Sequence, residues 1–232
     1  MSSPAFARVG SKLYVVGGGF AREVMDKSRN YFFTSPEFIP GDGQFIVLDL
    51  SVPWDQSTPA WKRLQNGPKQ MDFTAALTGD GSKLVTFNSG ANQSFAMLYD
   101  VANNVWSPSK VNVSNPNRAG ISGVTDPSTN RVYLPIGYDN SDKGAQMFIY
   151  HFDNDTMTQL PMTSSPLSRS LYFDAIWWSK KKSILYFGGN VYPSDEHAPN
   201  TIIMYTPSTN YWLPLATTGT APSGRREMCT AI

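Results

Sequence analysis

A single cysteine, Cys229, rules out an internal disulfide in this chain of 232 residues, so the fold must be held by its core. Histidine is nearly as scarce. His151 stands among alternating apolar residues, which suits a rim or packed position. His197 lies in a polar stretch with Asp195 and Glu196, which suits a solvated loop. Two histidines so far apart offer no metal-ligand constellation, and no Ser–His–Asp, Cys–His or paired-carboxylate spacing is present. The sequence therefore predicts no catalytic residue, no metal and no cofactor. Charge is also low. With 16% charged residues and a formal net charge of +1, the chain is not built like a disordered segment. It carries no overall positive field to draw nucleic acid or an anionic membrane. No apolar run approaches the ~18 residues of a membrane span. Met1–Gly10 lacks the apolar core of a signal peptide. Compartment stays open between the cytoplasm and, if a signal peptide lies outside this chain, an extracellular or membrane-anchored setting. Convincing helical periodicity is missing too, with at most a turn or two over residues 21–29.

What the chain does have is aromatics (13%), 18 glycines, 17 prolines and an internal repeat. Four segments share an apolar run ending at or near glycine: residues 11–18, 82–90, 130–137 and 182–189. Each is preceded by a β-capable run (4–9, 71–77, 118–124 and 170–176) and followed by another (44–50, 94–100, 146–153 and 200–206). A fourth run begins near Trp61, Trp106, Gln159 and Trp212. Leu48, Tyr99, Phe152 and Tyr205 align across the units, 51, 53 and 53 residues apart. Turn-forming residues separate the runs, among them Gly79-Asp80-Gly81, Asp126-Pro127-Ser128 and Pro207-Ser208-Thr209-Asn210. Four strands per unit, labelled A to D, form a sheet with two apolar faces. Stacking such sheets around an axis buries both.

Gly17-Gly18, Gly188-Gly189 and the tyrosine–tryptophan spacing resemble the kelch family, whose repeats run at ~50 residues. The resemblance implies an all-β, kelch-type β-propeller. Its blades would span about 4–64, 70–112, 118–161 and 169–215, with 222–232 as the first strand of a fifth. The expected core includes Tyr14, Tyr99, Trp106, Phe152, Tyr205 and Trp212. On this pattern the ring is incomplete, with the outward faces of blades one and four left open. Galactose oxidase also carries a kelch-like propeller, but the histidine, tyrosine and cysteine ligands of its copper centre have no counterparts here.

The resemblance implies a non-enzymatic interaction module whose partner, a protein or peptide, docks at a channel mouth. Arg118, Arg169 and Arg226 sit just before or at the start of strand A in successive units, and strand A is innermost in a propeller. Arginine forks there suit an acidic partner. The longer B–C connections, 19–43, 138–145 and 190–199, share that face. The first brings Tyr31, Phe32, Phe33 and Phe38, as candidate contacts or as cover for blade one. Lys180–Lys182 falls in an A–B hairpin on the opposite face. Sequons at Asn92, Asn112 and Asn154 permit glycosylation in a secreted setting, which would favour an adhesion or sensing ectodomain. A fragment of a carbohydrate oxidase lacking its metal ligands is the remaining alternative.

Overall fold

The computed structural model describes residues 5–22, 37–40, 43–55, 57–69, 74–87, 94–111, 121–136, 146–162, 166–167, 170–191, 196–197 and 202–220. The architecture is a four-bladed β-propeller. Blade one is formed by β1 (Ala5–Val9), β2 (Lys12–Val16), β5 (Phe45–Asp49) and β6 (Lys62–Arg63). Between β2 and β5 the chain forms a separate hairpin of β3 (Gly19–Arg22) and β4 (Glu37–Pro40). Blade two runs through β7 (Thr74–Leu77), β8 (Lys83–Phe87), β9 (Ala96–Asp100) and β10 (Val105–Pro108). Blade three is β11 (Val124–Asp126), β12 (Arg131–Ile136), β13 (Gln146–His151) and β14 (Thr156–Pro161). Blade four comprises β15 (Ser170–Trp178), β16 (Ser183–Val191), β18 (Ile202–Thr206) and β19 (Tyr211–Leu215). The short β17 (Glu196–His197) pairs with β16. All neighbouring strands are antiparallel. The only helical turn among the described residues is Pro207–Thr209, and none of their helices could cross a membrane.

In blades two and three the strands read as near-continuous apolar runs because both faces of the blade are covered. In β8, Leu84, Val85, Thr86 and Phe87 are all buried. Three clusters fill the wedges between blades. One joins Tyr14, Val16 and Phe45 of blade one to Leu84 and Tyr99 of blade two. A second joins Val85, Phe87 and Phe95 of blade two to Val132, Phe148 and Tyr150 of blade three. The third joins Tyr133, Met147 and Ile149 of blade three to Ile184, Tyr186 and Tyr205 of blade four. Burying each large side chain is worth roughly 1.5–3 kcal/mol. Among the described residues, no buried cluster joins blade four to blade one.

A repeated latch closes the outer hairpin of blades two to four. Tyr99 donates its hydroxyl proton to Asn104 Oδ1 at 2.7 Å, Tyr150 to Asp155 Oδ1 at 2.8 Å and Tyr205 to Asn210 Oδ1 at 3.0 Å. Each acceptor has a left-handed backbone, with φ of 56°, 53° and 48° respectively. Asn and Asp tolerate that conformation better than other side chains. The latch corrects the sequence alignment of unit three. Tyr150, not Phe152, matches Tyr99 and Tyr205, and its cross-strand partner is Met157, where the other blades place Trp106 and Trp212. Phe152 is buried as expected, but two residues beyond the repeat position.

Just after β2, Gly17 and Gly18 have φ of 67° and 95°, and within the later part of β16, Gly188 and Gly189 have 60° and 94°. A side chain at either pair would be strained, which is why glycine recurs there. The outermost strands β10, β14 and β19 each contain a proline: Pro108, Pro161 and Pro214. The expected fifth-blade strand, 222–232, lies outside the described residues.

Candidate functional site: the central channel and its mouths

The innermost strands β1, β7, β11 and β15 surround an open cavity of about 410 Å³. Its lining comes from the later parts of these strands and from the turn residues Thr78, Gly79 and Pro127. Most of the lining residues are small or apolar. Arg8 brings a cation, with its Nε–H donating to the Gly10 carbonyl at 2.9 Å. Phe6 and Trp177 bring aromatic surface. Thr125 also lines the cavity, and its Oγ1 is buried without a hydrogen-bond partner.

Cross-blade hydrogen bonds hold the channel's shape. The Gly79 N–H donates to Asn130 Oδ1 at 2.8 Å, and the Gly123 N–H to Thr74 Oγ1 at 2.9 Å. Ser122 donates to Asp174 at 3.3 Å. Farther out, the Asp155 carboxylate of blade three accepts from the Lys110 N–H of blade two at 2.7 Å, from Ser109 Oγ and from its latch partner Tyr150. Burial would raise the pKa of Asp155, but these donors outweigh it and hold the pKa below the ordinary value. Burial also pushes the latch tyrosines Tyr99 and Tyr205 up to about 12, so both stay protonated donors.

The chain matches no family model and no curated protein. Function must therefore be read from the residues themselves.

Arg118, Arg169 and Arg226, with Tyr31, Phe32 and Phe33, lie outside the described residues, as do Asn92, Asn112 and Cys229. Phe38 falls within β4. Asn154 stands exposed in the outer turn of blade three, its Oδ1 accepting from Thr156 Oγ1 at 2.7 Å. Lys180–Lys182 occupies the exposed β15–β16 turn, as expected for an A–B hairpin. His151 is half-buried beside Thr158 Oγ1 at 3.0 Å. Burial first, and then the Arg131 charge, lower its pKa, so the ring is neutral at pH 7. His197 lies in the paired strand β17 rather than in a loop. No group of three or more potential ligands for a metal ion occurs among the described residues.

Sequence reasoning missed Arg8 and Asp155. Arg8 was hidden because its segment reads only as a strand. Asp155 was hidden because the shifted alignment of unit three separated it from its tyrosine.

Proposed function

We propose that the chain is a kelch-type interaction module that binds an acidic protein or peptide at one mouth of its channel, and that it performs no catalysis. The β3–β4 hairpin supports this reading most directly. β2 ends at Val16, paired with Ala5 at the start of the innermost strand. From there the chain detours through β3 and β4 before returning as β5. An added arm thus leaves blade one at the end of the channel where the inner strands begin. In sequence, Arg169 directly precedes the inner strand of blade four and Arg118 stands six residues before that of blade three, which supports a role for both at that end. Arginine forks bind carboxylates in a bidentate way, and aromatic residues in the 19–43 connection would add apolar contact. The repeated Gly-Gly and tyrosine–tryptophan pattern favours the kelch assignment.

Fluorescence anisotropy with a labelled hexaglutamate peptide tests the proposal. Arg118→Glu and Arg169→Glu are each expected to weaken binding about tenfold or more. Lys181→Glu, at the opposite end, is expected to change it little. Equal losses at all three positions, or no binding by the unaltered chain, would overturn the reading.

A further inference from the structure

Cross-strand register makes the four blades comparable position by position. The face that each blade turns toward the next carries the row Ala7–Tyr14–Val47–Lys62 in blade one and Ala76–Val85–Leu98–Ser107 in blade two. In blade three the row is Val124–Tyr133–Ile149–Thr158. Its second member is buried under the following blade in all three: Tyr14 at 4% exposure, Val85 at 0% and Tyr133 at 4%. The same register in blade four gives Ile176–Leu185–Met204–Leu213, all apolar and none buried. The opposite faces show the converse. Leu84, Val132 and Ile184 turn toward the preceding blade and are each 0% exposed. Their counterpart in blade one, Leu13, is only half-buried, and Phe6 on the same face is 44% exposed.

The tryptophans follow the same rule. Trp106 and Trp212 pair across their hairpins with Tyr99 and Tyr205 and pack into the wedge toward the preceding blade. Trp106 lies over Gly67 of blade one, where a Cβ would come within 2.9 Å of its ring. Its Nε1–H reaches the Gln65 carbonyl at 3.3 Å. One step beyond the β5–β6 register, Trp61 takes the equivalent place opposite Leu48 and is 38% exposed. Beyond β19, the segment leaving blade four carries Gly219, with open space around its Cβ position.

We infer that the outward face of blade one in one copy of this chain docks on the outward face of blade four in a second copy. The contact repeats the internal blade-to-blade interface, with Trp61 seated beside the Leu215–Gly219 segment as Trp106 is seated beside Gly67. These two faces, each only partly covered, are the two complementary halves of one interface that the molecule already makes three times. An interface between unlike patches is head-to-tail, and it propagates to a ring or an open chain.

Light scattering coupled to size exclusion on the purified 232-residue chain tests this. The unaltered chain is expected to form dimers or longer species that grow with concentration. Trp61→Asp and Leu185→Asp should each raise the association Kd by about 30-fold or more. Mixing the two variants should restore a one-to-one heterodimer that grows no further, because each retains the half that the other has lost. A chain that stays monomeric up to high micromolar concentration would overturn the inference. So would self-association unchanged by both substitutions, or a mixture that fails to pair. Both altered side chains are partly exposed, and circular dichroism confirms that the variants are folded before mixing.

Discussion

Replacing Trp106 with alanine probes the wedge between blades one and two at one position. The indole ring sits 5.2 Å from Phe45 and 5.1 Å from Tyr99, centroid to centroid. It covers Gly67 and bonds the Gln65 carbonyl. Truncating a fully buried tryptophan costs about 3–5 kcal/mol. Trp106 is only half-buried, which moves the expectation to the low end, about 3 kcal/mol, of which its hydrogen bond contributes about 1 kcal/mol. For a chain of this length each kcal/mol moves the melting midpoint by about 2–4 °C, so Tm should fall by about 6–12 °C. Urea unfolding followed by far-ultraviolet circular dichroism gives the free energy directly. Trp54→Ala is the control. Trp54 is 46% exposed, and its removal should stay within about 0.5 kcal/mol. A loss below 1 kcal/mol at Trp106, or one equal to the control, would show that the wedge is not packed as described.

Gly79→Ala should destabilise by about 1–3 kcal/mol in the same assay, because its Cβ would lie 2.5 Å from the Pro127 carbonyl oxygen in the neighbouring blade; a neutral result would mean that blades two and three separate freely there. The folded-state pKa of Asp155 is depressed, so its stabilising contribution is complete above the ordinary value of 3.8 and is lost as pH falls through the lower folded value. Asp155→Asn should therefore flatten part of the acid-unfolding curve below about pH 4, and an unchanged curve would remove Asp155 from the acid response. Supplied with copper and common sugars, the purified chain should release no peroxide; turnover abolished by chelation would refute the non-catalytic reading.

The blades were legible in the sequence because the repeat is written in large residues at fixed spacing. Tyr99, Trp106, Tyr205 and Trp212 named their own positions, and paired glycines marked two B strands. Blade three was misread where its chemistry drifts. Met157 replaces the tryptophan, so the eye settles on Phe152, and only the hydrogen bond from Tyr150 to Asp155 restores the register. The channel wall was harder to foresee. Gly123, Thr125 and Pro127 come together with Ala75 and Ile176 only when three inner strands converge, and no local pattern announces that meeting. Arg8 likewise becomes a channel residue only through the company the fold gives it.

The prolines of the outermost strands bear on how such a molecule survives crowding. A strand at the rim of a sheet is a template on which another chain can extend the ladder, the route by which β-proteins turn into fibrils. Pro108, Pro161 and Pro214 interrupt that template in three successive blades, since proline has no N–H to offer an incoming strand. Sideways growth at the rim is thereby discouraged, while the broad faces of blades one and four keep their apolar character. A molecule built this way can assemble like stacked tiles without fusing edge to edge into an insoluble cloth.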